Sequence, residues 1–200
     1  MKLCFSPTSP YVRKVRACAI TREIDGQIEL VPTDANASRP AFVAINPLSK
    51  VPALVTDDGV ALFDSPVICE YLDGFGDALP MFPPHGAARW RALKFQAMGD
   101  GILDASVPRL GELMKPQDEA RAAWIARQQA AVERTLDALE ADPPHRAIDI
   151  GSITVACALG YLDFRFAAQP WRDAHPKLAA SYEAFARNPG IASTAPRDPA

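Results

Sequence analysis

The first 76 residues alternate between short apolar runs and stretches whose apolar positions recur at helical spacing. Apolar runs bounded by proline, glycine and polar residues predict strands, whereas apolar residues three or four positions apart predict helices. These patterns predict strands over 3–5, 28–31, 52–55 and 60–63, and helices over 10–25, 40–45 and 66–72. The resulting order of strand, helix, strand, helix, strand, strand and helix is typical of a small α/β domain.

The pattern changes beyond residue 85, where every periodic segment is helical. Closely spaced glycines and prolines over 74–84 predict a linker between the two parts. Helical spacing then predicts helices over 86–114, 118–139, 149–166 and 176–186, and the three prolines of 188–200 predict a surface tail. Within the first of these helices, Gly99, Gly101 and Pro108 are expected to produce kinks or breaks. We therefore predict two domains, an α/β domain over 1–76 and an all-helical domain over 85–200.

Composition and charge exclude several classes of protein. The 200 residues are 48% hydrophobic and 22% charged, and the net charge of −3 leaves no basic stripe for nucleic acid. The N-terminus does not have the pattern of a signal peptide, and no apolar run is long enough to predict a membrane helix. The four cysteines are scattered in apolar segments without a C-x-x-C pair. This arrangement argues against a metal site or a disulfide framework and predicts a reducing, cytoplasmic environment.

The candidate chemistry begins at Ser9, which directly precedes Pro10 at the start of the first predicted helix. A serine hydroxyl at this position accepts a backbone N–H, and proline at the first helical position has no N–H to leave unpaired. The free N–H groups of such a helix end also favour an anion. An ordinary helix cap is one interpretation of this pattern, and an anion-binding helix start is the other.

Three motifs together resemble the glutathione S-transferase superfamily. They are Ser-Pro-Tyr-Val-Arg-Lys-Val at 9–15, Lys-Val-Pro-Ala-Leu at 50–54 and Asp-Ser-Pro-Val-Ile at 64–68. The similarity is closest to bacterial members that carry serine at the active position, and it spans both predicted domains. It implies a thioredoxin-like N-terminal domain (βαβαββα) that binds glutathione, followed by an all-helical C-terminal domain that forms the pocket for the second substrate.

The resemblance also implies the residues that bind glutathione. Val51-Pro52 corresponds to a cis peptide bond that lets the Val51 backbone pair with the cysteinyl backbone of glutathione, although a Val-Pro pair alone is more often trans. Asp64 and Ser65 correspond to the clamp on the γ-glutamyl group, and the same two residues also suit a routine helix cap. Lys50 departs from the glutamine that relatives often carry, but its ammonium can still reach the glycyl carboxylate.

Ser9 is the residue that the resemblance assigns to activation of the thiol. A hydroxyl that donates to the sulfur stabilises the thiolate, which is a minor species at neutral pH for a thiol of pKa about 8.5. Ser6 and Thr8 are rival hydroxyls, and Ser9 is preferred because it precedes proline, as the reactive residue does in the related Cys-Pro-Tyr-Cys redox motif. Arg13 either adds positive potential or is a solvated surface arginine.

Further positions have structural and functional interpretations. Asp100 resembles an aspartate that reaches the γ-glutamyl amine in the neighbouring subunit of a dimer, but it also suits a solvated helix carboxylate. Asp149, with Ser152 three residues later, predicts a structural cap for the helix that follows. The three histidines lie beside proline, glycine or helix ends and are expected at the surface: His85, His145 and His175.

The resemblance therefore implies a cytoplasmic, homodimeric glutathione transferase with a role in detoxification. It would add the thiolate of glutathione, as co-substrate and without a metal, to a small electrophile, and it would have neither nucleic acid nor membrane as a partner. A glutathione-dependent isomerase, dehalogenase or peroxidase is an alternative that uses the same sulfur. A non-catalytic protein that binds glutathione or another ligand is a further alternative on the same fold.

Overall fold

The computed structural model describes residues 1–144 and 148–197. Over the first 84 residues the elements follow the predicted βαβαββα order, which is confirmed. They are β1 (Lys2–Phe5), α1 (Pro10–Thr21), β2 (Glu29–Pro32), α2 (Pro40–Ile45), β3 (Ala53–Val55), β4 (Ala61–Leu62) and α3 (Ser65–Asp73), with short 3-10 turns at Asp25–Gln27 and Ala35–Ala37. Helix α1 is shorter than predicted, because its last residues give way to the first of these turns.

The strands form a single mixed sheet in the order β2-β1-β3-β4. β1 runs parallel to β2 and antiparallel to β3, and β4 is antiparallel to β3. Leu3 of β1 is paired with Leu54 of β3, and both side chains are fully buried. Helices α1 and α3 pack against each other and contribute further fully buried side chains, such as Val15 and Leu72.

The chain forms two compact units, and the boundary between them falls at residues 84 and 85. The predicted linker belongs to the first unit, because a buried arginine and a carboxylate hold it there. Arg22 donates to the carbonyls of Phe75 (2.7 Å from Nη2) and Gly76 (2.9 Å). The carboxylate of Asp73 accepts from the backbone N–H groups of Met81 and Phe82, at 2.7 and 3.0 Å.

The second unit covers residues 85–187, and every regular element in its described part is a helix. The helices are α4 (Gly86–Leu113), α5 (Glu119–Ala141), α6 (Ile150–Arg165) and α7 (Pro176–Phe185). The predicted breaks in α4 are wrong, because the helix runs uninterrupted through Gly99, Gly101 and Pro108. Within the described part of the chain, every helix is too short or too polar to cross a membrane.

Helix α6 is the centre of the second unit, because its residues 150–162 are all buried. The predicted cap is confirmed: the Ser152 backbone N–H donates to Asp149 Oδ1 at 2.8 Å, and the Asp149 N–H donates to Ser152 Oγ at 2.9 Å. Gly99 lets α4 approach α6 closely, since a Cβ there would lie 2.8 Å from the Thr154 carbonyl carbon.

The C-terminal segment differs from the predicted surface tail. Residues Pro189–Ser193 form a short helix, α8, which packs on α1 and belongs to the first unit rather than to the helical one. Gly190 permits this contact, because a Cβ there would lie 2.5 Å from the Ala17 carbonyl oxygen. Ile191 is 2% exposed. The sequence predicts a surface tail here because prolines and small residues surround Ile191, the one large apolar residue that anchors the segment.

The close approach of α4 to α6 generates the first prediction. Gly99→Ala should lower the free energy of unfolding by about 1–3 kcal/mol, because the added methyl group meets backbone atoms that cannot move aside locally. Gly111→Ala is the matched control in the same helix. Outside the chain neighbours and the backbone of its own helix, no described atom lies within 4 Å of its added Cβ, and the variant should gain up to about 1 kcal/mol. Urea denaturation followed by circular dichroism measures both, and equal stabilities would contradict the close contact.

Candidate functional site

Three segments with predicted site residues leave the same edge of the sheet. The pairing of Cys4 with Ala53 places the end of β1 beside the beginning of β3, and the pairing of Leu54 with Leu62 places the end of β4 there too. Val51 and Phe63 pack against one small apolar cluster that includes Cys4 and Ala53. The register therefore brings together the turn that leads to Ser9, the segment around Val51 and the start of α3.

Ser9 is the N-cap of α1, and Pro10 occupies the first helical position. The Ser9 Oγ accepts from the Val12 N–H at 3.3 Å, and the Ser9 N–H donates to the Ser6 carbonyl at 3.2 Å. Because Oγ acts as an acceptor in this cap, its own proton remains available for donation to another group. The half-buried hydroxyl therefore suits both interpretations of the sequence, a helix cap and a donor to an anion.

The segment before β3 is shaped by Asn46, a residue that the sequence analysis missed. Asn46 is 1% exposed; its Nδ2 donates to the Lys50 carbonyl at 2.7 Å, and its Oδ1 accepts from the Leu48 N–H at 3.0 Å. The Val51-Pro52 bond that follows is cis, as the resemblance implied. The Asn-Pro pair at 46–47 is a turn signal that could have identified this loop. The Lys50 side chain is exposed.

Helix α3 begins without a side-chain cap. Asp64 occupies the N-cap position, but its exposed carboxylate makes no capping hydrogen bond. Ser65 is the first helical residue and is 1% exposed. The routine cap that the sequence also allowed is therefore not formed by Asp64. Backbone N–H groups at the start of α3 thus lack the acceptor that an aspartate N-cap commonly provides, and they suit an anionic ligand group.

Arg13 is buried, which corrects the interpretation of a solvated surface arginine. Its side chain is 6% exposed, and Nη2 donates to the Ile191 carbonyl of α8 at 3.2 Å. Its Nε and Nη1 have no hydrogen-bond partner among the described residues. Arg13 lies one turn after Ser9 on the same face of α1. A buried guanidinium at this distance favours negative charge near the start of the helix.

The remaining candidate residues lie in the helical unit or outside the described part of the chain. Asp100 is half-buried in α4, and its contact with a second subunit remains a prediction. His85 is exposed as predicted, and His145 lies outside the described residues.

The prediction that His175 lies at the surface is wrong. The residue is 7% exposed, with Nδ1 2.6 Å from the Trp171 carbonyl and Nε2 3.1 Å from Asp137 Oδ1. The contact with Asp137 joins the segment before α7 to α5, and the contact with Trp171 lies within that segment. His175 therefore has a structural role that follows from its tertiary contacts, which local sequence signals do not encode.

The remaining reactive residue types are the cysteines and the possible metal ligands. All four cysteines are buried and form no disulfide: Cys4, Cys18, Cys69 and Cys157. Over residues 1–144 and 148–197, histidine, cysteine and carboxylate side chains do not gather into a group of three that could hold a metal ion.

Comparisons with family models and with known proteins both find similarity to one family. The family model described as glutathione S-transferase, N-terminal domain, matches residues 8–74, and the one described as glutathione S-transferase, C-terminal domain, matches residues 122–184. A relative from Escherichia coli K12, the uncharacterized GST-like protein YibF, is 35% identical over 202 residues, which covers 98% of each chain.

Solved structures also resemble the chain over its full length. A glutathione transferase family member from Pseudomonas fluorescens Pf-5 with bound glutathione has a TM-score of 0.91 and 38% identity, covering 98% of this chain and 99% of the other. A structure of a family member from the same organism with bound S-(propanoic acid)-glutathione has a TM-score of 0.87 and 39% identity, covering 99% and 100% of the two chains.

Proposed function

We propose, since this chain belongs to the glutathione S-transferase superfamily, that it binds glutathione and transfers the glutathione thiolate to a small electrophile. The observation that carries the proposal is the common sheet edge, where the Ser9 helix start, the cis Val51-Pro52 bond and the start of α3 converge. The neighbouring structures with bound glutathione and with S-(propanoic acid)-glutathione support it, because the second ligand is glutathione already substituted at its sulfur.

Each segment at this edge suits a different part of the tripeptide. The backbone of Val51 would pair with the cysteinyl residue, and Lys50, which is exposed, would attract the glycyl carboxylate. The γ-glutamyl carboxylate would accept from the Ser65 hydroxyl and from N–H groups at the start of α3, while Asp64 would face its ammonium group. Such binding by several remote groups holds the substrate without contact to the sulfur.

The Ser9 hydroxyl would activate the sulfur by donating a hydrogen bond to the thiolate. Lowering the thiol pKa by about two units needs roughly 2.7 kcal/mol. One hydrogen bond to a charged group supplies about 1.5–3 kcal/mol, which is of that size. The buried guanidinium of Arg13, one turn further along α1, acts in the same direction. The nucleophile in this step is the glutathione thiolate, so the step needs neither a metal nor a nucleophilic side chain of the protein.

The helical unit would supply the pocket for the electrophile, and a second copy of the chain would complete the glutathione site through Asp100. The proposed setting is a cytoplasmic homodimer. A non-catalytic ligand-binding protein is distinguished from the proposed transferase by the experiments that follow, whereas a glutathione-dependent isomerase, dehalogenase or peroxidase is the alternative enzyme that uses the same activated sulfur.

The second prediction tests the activating hydroxyl. Ser9→Ala should lower kcat/KM for a model electrophile by about ten- to a hundredfold, because each 1.36 kcal/mol of lost transition-state stabilisation costs a factor of about ten. The pH–rate profile should shift to higher pH as the bound thiol returns towards its solution pKa. Ser6→Ala and Thr8→Ala, which change the rival hydroxyls, are the controls and should retain both rate and profile.

Absorbance of the bound thiolate, titrated against pH, provides the direct measurement. Coincident curves for wild type and Ser9→Ala, with unchanged turnover, would show that Ser9 is only a helix cap. No turnover on any electrophile of a broad panel, with glutathione still bound, would favour the non-catalytic alternative.

The third prediction separates binding from activation. Ser65→Ala should raise the Kd for glutathione by about ten- to a hundredfold, because one hydrogen bond to a carboxylate is lost. Ser9→Ala should leave that Kd nearly unchanged, since Ser9 contacts only the sulfur. Isothermal titration calorimetry on both variants measures the difference. Equal affinities for the two variants would contradict the assignment of Ser65 to the γ-glutamyl group.

The fourth prediction concerns assembly. Sedimentation at micromolar concentration should give a homodimer, in which we expect the first unit of one copy to contact α4 of the other. The Asp100→Asn variant should bind glutathione more weakly and remain a dimer. A monomer would refute the assembly and would remove Asp100 from the site.

A further inference from the structure

The helical unit contains a buried cation that the proposed glutathione chemistry does not use. Arg109 of α4 is 2% exposed, and its guanidinium carbon lies 4.5 Å from the centroid of the Phe166 ring. Nη2 donates to Gln129 Oε1 at 3.4 Å and to the amide oxygen of Gln169. Both acceptors are neutral, and the described residues place no carboxylate in an ion pair with this guanidinium.

Two hydrogen-bond donors in the same place lack acceptors. The Nε of Arg109 and the hydroxyl of Ser106 are both buried and have no hydrogen-bond partner in the described part of the chain. Ser106 precedes Arg109 by three residues on α4, so the two side chains lie one helical turn apart. Buried polar groups are nearly always paired, and two unpaired donors beside one cation indicate a missing acceptor.

The electrostatics point to an acceptor with negative charge. Burial lowers the pKa of the Arg109 guanidinium because it removes water from the charged form, and the carboxylate of Glu133 opposes this shift. Glu133 acts at a distance, since it accepts from the Gln129 Nε2 at 2.9 Å while Gln129 in turn accepts from Arg109. Among the described residues, Glu133 therefore offsets the charge of the guanidinium from a distance and without a direct ion pair.

We propose that Arg109 and Ser106 form a binding site for a small organic carboxylate. Nε and Nη2 lie along one edge of a guanidinium, which is the edge that binds the two oxygens of a carboxylate. The Nη2 donor is bonded to the amide oxygen of Gln169. The Gln169 side chain is exposed and can turn towards solvent. A carboxylate oxygen adds the attraction between opposite charges to this hydrogen bond, which the neutral amide oxygen lacks, and Ser106, one turn away, is a donor for the second oxygen.

The binding step is independent of the proposed function. Its consequence for catalysis, a preference of the helical unit for acidic electrophiles, rests on the proposed function. The site itself requires only the contacts within the helical unit.

The test uses benzoate as the probe and benzamide as its neutral match of equal shape. In the full-length protein, titration with benzoate should move the Arg109 Nε–Hε signal in a ¹H–¹⁵N spectrum to saturation, and benzamide should bind at least about tenfold more weakly. The signal is assigned by its loss in Arg109→Lys, which keeps the charge but lacks the two-donor edge. That variant should bind benzoate about tenfold more weakly in calorimetry.

Gln169→Ala provides a variant with the opposite expected sign. It removes an exposed competitor for the guanidinium, so benzoate should bind a few-fold more tightly while the fold is retained. Equal binding of benzoate and benzamide would overturn the proposal, as would benzoate affinity that is unchanged in both Arg109→Lys and Gln169→Ala. Glutathione affinity, measured in the same samples, should be the same in Gln169→Ala as in wild type. A protein that binds benzoate as expected but not glutathione would refute the proposed function and leave this site standing.

Discussion

The antiparallel pairing of β1 with β3 is the constraint on which the candidate site depends. It opposes Cys4 to Ala53, so the chain that leaves β1 and the chain that enters β3 meet at one edge. A shift of one residue in this register would place Leu3 and Leu54, which are both buried, on opposite faces of the sheet. One of the two side chains would then leave the apolar core, which is unfavourable. Burial of the core thus positions the start of α1 and the segment around Val51, although neither segment lies in the sheet.

Local signals in the sequence predict most of this framework, and long-range contacts account for what they miss. Helices α1, α2 and α7 begin at Pro10, Pro40 and Pro176, because proline at the first helical position is a signal that needs no tertiary context. The burial of Arg13 and of His175 could not be predicted in this way. Arg13 donates to the carbonyl of Ile191 in α8, which is 178 residues later in the sequence. His175 contacts Asp137 of α5.

Three buried arginines differ in how completely the described residues pair their hydrogen-bond donors. Arg22 is 3% exposed and donates to several backbone carbonyls of the predicted linker. Its guanidinium is therefore paired by hydrogen bonds within the first unit. Arg13 and Arg109 are also buried, but among the described residues each has at least one nitrogen without an acceptor. An unpaired buried charged donor costs more free energy than an ordinary hydrogen bond contributes. A ligand or an adjacent anion that pairs with such a donor therefore stabilises the protein.

The proposals therefore assign the binding of different ligands to the two units. In the proposed function, backbone groups and hydroxyls at helix starts of the first unit contact the peptide-like thiol, so these contacts depend both on the sheet that positions them and on the side chains of Ser9 and Ser65. In the helical unit, the proposed carboxylate site depends on individual side chains such as Arg109. Apart from Asp100, which the proposed function assigns to glutathione binding, substitutions in the helical unit are therefore expected to change the second ligand with little effect on the thiol site, whereas a change in the register of the sheet would remove both binding and activation.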